Sequence, residues 1–317
     1  MSALYKVMVC SASPDRINNN AILRNYVARG FAEVLTEECV MSTSLDFAVD
    51  AIWQFQPDLL LVFGSCMPDS CDYSRLRTYC ARSNATLIFW LHDDPYEFDF
   101  NYKIYHYADM IFTSDKWAAW HFDHPKVFHL PLAADPKSHF RNLPVQIKRD
   151  LFFCGVGFQN RRDLMLECMP LLNGFDSLVC GTEWPDLPFF QNRRLSNDDL
   201  PDYYASSLVT LNIGRKYNLA NSKYQLDPST PGPRTFEAAM AGAVQCYYFD
   251  SCEIIEYFEQ GSEIILFDSP SDLVEIIRNL QDRDKRNAIS CAAQERALQE
   301  HTYAQRAKKI LDFLGAS

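Results

Sequence analysis

Pro231-Gly-Pro-Arg-Thr-Phe-Glu-Ala-Ala-Met-Ala-Gly-Ala243 is the stretch on which the reading of this 317-residue chain turns. Pro231, Gly232 and Pro233 make a turn that stops at Arg234, where a helix begins with Glu237 in its first turn. Ala238, Ala239 and Ala241 permit close packing, and Gly242 caps the end. A helix N-terminus behind a turn presents free backbone N–H groups to an anion, and Arg234 adds a forked donor beside them. Glu237 has two readings here. It can accept hydrogen bonds from vicinal hydroxyls such as those of a ribose, or it can simply complement the helix dipole.

On either side of this segment, short apolar runs alternate with helical periodicity. Strands are expected at Leu151–Cys154, Ser177–Cys180, Leu208–Ile213, Ala243–Tyr248 and Glu263–Phe267, with helices at 160–169, 198–206, 234–241, 252–258 and 271–280. The tail 282–314 reads as helix broken near His301-Thr302. The first half repeats the pattern, with strands at Tyr5–Cys10, Asp58–Phe63, Thr86–Leu91, Met110–Thr113 and Val127–Leu130, and helices at Ala21–Leu35 and Leu45–Phe55. Runs apolar throughout suit strands buried on both faces, so the class is α/β with parallel sheets wrapped by helices. The pattern weakens across Pro131–Arg149, which holds three prolines and reads as a linker. Two Rossmann-like domains facing each other across a cleft are expected, 1–140 and 141–317, with ligands outside the carboxyl ends of the strands.

Composition narrows the function. The chain is 48% hydrophobic and 22% charged, with 30 Lys plus Arg against 41 Asp plus Glu and a net charge of -11. Such a balance disfavours a long polyanion, which binds through clustered Lys and Arg. It does not disfavour a small anion, because Arg215, Lys216, Lys223 and Arg234 crowd one region that holds a single acid, Asp227. No run approaches the roughly 18 apolar residues of a membrane span. The start, Met1-Ser-Ala-Leu-Tyr-Lys, has no signal-peptide pattern, and the eleven cysteines form no C-x-x-C pair. A reduced, cytoplasmic protein is expected, as a monomer or homodimer.

Several chemistries find no motif. The first turn, Cys10-Ser-Ala-Ser-Pro-Asp-Arg16, has no glycine, so neither a dinucleotide fingerprint nor a P-loop follows the first strand. Gly64-Ser65-Cys66 lacks the nucleophile elbow of hydrolases. Six of the seven histidines lie between residues 92 and 139, including His121-x-x-His124, but no Cys or carboxylate completes a metal pattern. No metal site is expected. Leu91-His-Asp-Asp-Pro-Tyr96 follows a strand, and His92 or Asp94 there could take a proton from an acceptor hydroxyl. Asp94 before Pro95 could equally form a turn or cap.

Arg234-Thr-Phe-Glu-Ala-Ala-Met-Ala-Gly-Ala, Ile254-Ile-Glu-Tyr-Phe-Glu-Gln-Gly-Ser-Glu-Ile and His301-Thr-Tyr-Ala-Gln-Arg together resemble the CgeB-like (spore maturation protein) group of GT-B glycosyltransferases. Phe153-Cys-Gly-Val-Gly-Phe-Gln-Asn-Arg, Leu211-Asn-Ile and Trp90-Leu-His-Asp-Asp-Pro-Tyr fit the same group, and the likeness covers about residues 57–315.

The resemblance implies transfer of a hexose-type unit from a nucleotide-diphosphate sugar, without metal or other cofactor. Glu237 matches the glutamate that holds the donor ribose in related enzymes, and Arg234 and Arg161 match positions near the diphosphate. Gly155 and Gly157 would let backbone approach the donor, Trp184 could stack on the nucleobase, and Asn212 and Tyr217 would be neighbours. The last helix, 302–317, is expected to return to the N-terminal domain. Ser229 stands where many retaining relatives carry a second glutamate, so the stereochemistry stays open. The acceptor could be protein, glycan, small molecule or modified DNA base. Rival readings are a nucleotide-sugar epimerase on the same fold and a non-catalytic nucleotide-sugar-binding or structural protein.

Overall fold

The structure is a computed structural model describing residues 5–15, 21–66, 71–249 and 252–315. Met1–Leu4 of the chain start, and Arg16 of the first turn, lie outside the described residues. The chain divides into two compact units. One comprises Met1–Leu132, Asn218–Thr230 and Tyr303–Ser317, and the other Ala133–Tyr217 and Pro231–Thr302. The sequence reading put the first boundary at residue 140 and kept 218–230 with the second domain.

In the first unit the order is β1 (Val7–Ser11), α1 (Ala21–Val34), β2 (Val40–Thr43), α2 (Leu45–Phe55), β3 (Leu59–Gly64), α3 (Ser74–Ser83), β4 (Thr86–Leu91), β5 (Met110–Thr113) and β6 (Val127–His129). The strands form one parallel sheet in the order β2-β1-β3-β4-β5-β6. Met8, Leu60, Val62, Leu87 and Phe89 meet Ile52 of α2 and Leu76 of α3 in its core. β2 and α3 carry no continuous apolar run. β2 is a half-buried edge strand, and α3 buries only Leu76, Tyr79 and Cys80 among polar residues. Sequence periodicity alone passes over both.

The second unit runs through α4 (Pro136–His139), β7 (Arg149–Cys154), α5 (Gln159–Cys168), β8 (Ser177–Cys180), β9 (Phe190–Gln191), α6 (Leu200–Ala205), β10 (Ser207–Asn212), α7 (Pro233–Met240), β11 (Gln245–Tyr248), β12 (Ile265–Phe267), α8 (Pro270–Asn279) and α9 (Arg283–Glu300). Its sheet is also parallel, in the order β12-β11-β10-β7-β8-β9. Period-two alternation divides the strands. Leu151 and Phe153 pack with Met165 of α5 and Leu273 of α8, whereas Phe152 and Cys180 pack with Tyr204 of α6 and Ala238 of α7. The stretch read as a linker contains α4, capped by Asp135 accepting from Ser138 N at 3.0 Å, with Ala134 and Phe140 in a core cluster. The helix expected at 252–258 is a 3-10 turn, Cys252–Glu256. The chain turns again at once, where the Glu263 carboxylate accepts from Glu259 N at 2.8 Å.

The motif His301-Thr-Tyr-Ala-Gln-Arg306 has a backbone role. In the second unit Ala134 N donates to His301 O at 2.9 Å. In the first, buried Arg306 donates to Pro131 O and Leu132 O at 2.8 and 3.2 Å. α10 (Tyr303–Leu314) packs on α1 so closely that a Cβ on Gly30 would lie 2.4 Å from the Tyr303 carbonyl carbon. Gly30→Ala must therefore push α10 away. A loss of about 1–3 kcal/mol in urea-measured stability is expected, the usual cost of overpacking.

Candidate functional site

Strand order in the second sheet reverses between β7 and β10. The chain leaves β7 toward β8 and β9 on one side and returns through β10 to β12 on the other. A parallel sheet opens a crevice outside the carboxyl ends at such a reversal. Cys154 ends β7 there with Gly155 following it, and Asn212 ends β10.

The glycine loop after β7 is shaped by its own neighbours. A Cβ on Gly157 would lie 2.7 Å from Glu183 O, and one on Gly155 would lie 3.0 Å from Arg161 Nη1. Gly181, at φ +146°, faces the same loop from β8, where a Cβ would sit 1.9 Å from Gly155 O. Gly157 and Gly181 are needed for backbone-to-backbone approach whether or not a ligand binds, while Gly155 makes room for the Arg161 and Phe153 side chains. Arg161 is likewise engaged. Its guanidinium donates to Val156 O at 3.1 Å and from Nη2 to Ile213 O at 2.8 Å, tying the loop to the end of β10.

Trp184 is not an open stacking face. It is 4% exposed, stacked on Phe190 at 4.9 Å, and donates from Nε1 to Gly155 O at 3.0 Å. The aromatic surface beside this loop is Tyr217, 44% exposed and stacked at 5.0 Å on Phe158, which caps α5. Asn212 donates to Thr235 Oγ1 at 2.6 Å and to Gln245 Oε1 at 3.2 Å, joining β10 to the first turn of α7.

Glu237 on α7 is 3% exposed, so its charge requires partners. Arg234 Nη1 donates to Oε2 at 2.8 Å, while His139 Nε2 lies 3.9 Å from Oε1. His139 Nδ1 accepts from Asp135 N at 3.0 Å, which leaves the ring proton on Nε2, toward Glu237. Burial pulls His139 below its ordinary value, against the opposing pull of Glu237 and Asp135. The Arg234 side chain remains 46% exposed at the α7 N-terminus. The sequence reading missed His139. Its only signal was membership of a histidine-rich stretch.

The first unit carries a second cluster at the carboxyl ends of β4 and β5. Asp94 is buried, with both oxygens engaged: Asn101 Nδ2 donates at 2.8 Å and Thr113 Oγ1 at 2.6 Å. Burial, opposed by those two hydrogen bonds and reinforced by Asp115 and Asp93, pushes the Asp94 carboxyl up to about 7. His92 packs edge-on against Phe63, and its Nδ1 lies 3.2 Å from Asp93 Oδ2 without hydrogen-bond alignment. Asp115 accepts from Ser229 N at 2.7 Å and Thr230 N at 3.2 Å, which anchors 218–230 to this unit. Ser229, the position matched to a missing glutamate, is therefore an anchor for that segment. Lys223, counted among the crowded basic residues, belongs to this unit too, with its backbone N donating to the Asp99 carboxylate. Among the described residues no group of three or more His, Cys, Asp or Glu side chains could hold a metal ion. None of the described helices is long and apolar enough to cross a membrane.

Two parallel sheets of this kind, each with its chemistry at the carboxyl edge, define a class. The chain aligns with sucrose-phosphate synthase from Thermosynechococcus elongatus at a TM-score of 0.63 and 10% identity, over 98% of this chain and 100% of that one. It aligns with a T4 phage BGT mutant in complex with UDP-glucose at 0.59 and 12%, over 98% and 99%. The fold is GT-B. Residues 161–312 match the model of the glycosyl transferase-like family. The spore protein CgeB of Bacillus subtilis (strain 168) is 23% identical over 255 residues, 69% of this chain and 77% of that protein. The chain is similar to the CgeB-like GT-B glycosyltransferases, and residues 161–312 carry the glycosyl transferase-like pattern.

The Asp94 environment yields a pH test. A folded-state value of about 7 against an ordinary 3.8 means that the folded chain holds the extra proton between those limits. Stability from this group therefore rises as pH falls from 7 toward 3.8, and above 7 the buried carboxylate is a burden. Asp94→Asn should raise the melting temperature relative to wild type at pH 8, with the difference narrowing by pH 5. A difference constant across that range would show that the carboxyl does not titrate there.

Proposed function

We propose that the chain moves a hexose-type sugar from a nucleoside-diphosphate sugar to an acceptor hydroxyl, in the cytoplasm and without a metal or other cofactor. The observation that carries this reading is Arg234: half-exposed, at the N-terminus of α7, and held at 2.8 Å by a buried glutamate. A guanidinium so fixed, beside oriented backbone N–H groups, suits the charge that grows on a departing diphosphate. The match of residues 161–312 to the glycosyl transferase-like family supports a nucleotide as the departing group, as does the likeness in fold to a T4 phage BGT mutant solved in complex with UDP-glucose.

Roles follow from the contacts. Arg234 and the start of α7 meet the diphosphate. Glu237 positions Arg234 from behind, with His139 on its other oxygen, and a ribose hydroxyl would share that carboxylate. Gly155, Gly157, Arg161 and Asn212 shape the crevice. Tyr217, rather than Trp184, offers the nucleobase a face. On the acceptor side His92 takes the hydroxyl proton, since the oxygens of Asp94 are already engaged by Asn101 and Thr113. The acceptor oxygen then bonds to the anomeric carbon as the bond to the diphosphate breaks.

A thermal-shift screen with nucleoside diphosphates and their sugars tests the reading. A ligand at about 100 times its Kd adds roughly 2.7 kcal/mol of stability. Arg234→Ala should lose the shift. His92→Ala should keep it and lower transfer by about 10²-fold or more, the usual scale for a general base. No shift with any nucleotide overturns the proposal, and turnover of donor alone, without acceptor, would favour an epimerase.

A further inference from the structure

Ten cysteines form no disulfide among the described residues, and Cys10, Cys66 and Cys80 share the core of the first unit with Cys71 packed against it. Cys154 and Cys180 differ. They face each other in register across the parallel pair β7–β8, the only such cysteine pair among the described strand pairings. Both contribute to one cluster with Tyr204, Ala238 and Ala241, on the face of the sheet that α6 and α7 cover. Cys154 is partly exposed and Cys180 is buried. Hydrogen-bonded strands run about 4.8 Å apart, inside the roughly 4.4–6.8 Å between Cα atoms that a disulfide spans.

We propose that Cys154 and Cys180 are a peroxide-responsive thiol pair that closes reversibly to a disulfide in the second unit. The Cys154 thiolate attacks an oxygen of hydrogen peroxide. An S–O bond forms, the O–O bond breaks, and hydroxide leaves to take up a proton as water. Cys180 sulfur then attacks the Cys154 sulfur. The S–S bond forms, the S–O bond breaks, and a second water departs with the Cys180 proton. Two electrons pass from the thiols to the peroxide.

Local electrostatics divide the two roles. The Cys180 thiol beside it, and then Arg234 and Arg193, hold the Cys154 thiol below its ordinary value against burial. Cys154 and burial push Cys180 up. The partly exposed member is thus the attacking thiolate and the buried one the resolving thiol. The bond would close next to Gly155, whose N donates to Cys180 O at 2.9 Å. It would therefore hold the loop that Arg161 ties to β10.

The test is peptide mapping of wild-type protein after hydrogen peroxide, with remaining thiols alkylated before digestion. A Cys154–Cys180 linked peptide that dithiothreitol reverses is expected. Cys154 should be lost about tenfold faster than buried Cys10, Cys168 or Cys246, in line with its thiolate character. Cys180→Ala should stop at a sulfenic acid on Cys154 that dimedone traps, and Cys154→Ala should give neither product. Oxidation of exposed Cys291 with Cys154 and Cys180 left as thiols overturns the proposal, as does overoxidation of Cys154 with Cys180 untouched. The map needs no sugar transfer, so its failure and that of the proposed activity are separable. Resting on that activity, the oxidised protein should show a smaller nucleotide thermal shift, restored by dithiothreitol. An unchanged shift with the bond formed overturns the coupling to the donor crevice.

Discussion

A carboxylate removed from water must be paired, and in the second unit that requirement falls on Glu237. Leaving such a charge unpaired would cost on the order of 3–5 kcal/mol, a large share of any domain's stability. Its two oxygens face two different elements, Arg234 on its own helix and His139 on α4. One buried group therefore sets the rotamer of the exposed guanidinium and seats the segment that follows the chain's first passage into this unit. The same pairing explains why Arg234 is directed although half of it lies in solvent.

Around that pairing the backbone itself is the scaffold. Gly157 and Gly181 bring the loops after β7 and β8 closer than any side chain permits, and the Trp184 indole closes the contact by donating to Gly155 O. Arg161 spans the reversal of strand order, and Asn212 carries the link onward to the first turn of α7. In the first unit the acidic residues do the comparable work. Asp94 ties the turn after β4 to β5, and Asp115 captures 218–230 through Ser229 and Thr230. In the same turn His92 Nδ1 makes no hydrogen bond and lies 3.2 Å from Asp93 Oδ2.

How far the sequence could be read depended on how each residue announces itself. Continuous apolar runs announced β1, β3, β4, β5, β7, β8, β10 and β11, because strands buried on both faces have no polar side to interrupt the run. β2 and α3 escaped notice because edge strands and half-buried helices need only a few apolar residues. The turn into α7 was legible because proline and glycine restrict the backbone locally. Trp184 stayed open between a stacking and a rim role for the opposite reason. An aromatic after a strand looks the same in sequence whether it faces a ligand or a neighbouring Phe190.

The chain by itself determined two parallel α/β units, a helix N-terminus bearing Arg234 and Glu237, and a family resemblance that the comparisons bear out. These depend on local backbone preference and on burial patterns that repeat every two or four residues. Tertiary structure alone decided the partners. That Glu237 meets His139, that Arg161 closes on Ile213, that Ser229 belongs with Asp115, and that Cys154 lies beside Cys180 are contacts between residues 26 to 114 positions apart. Such contacts are chosen by which buried donors and acceptors the packed units bring within reach. No local pattern in the chain encodes that choice.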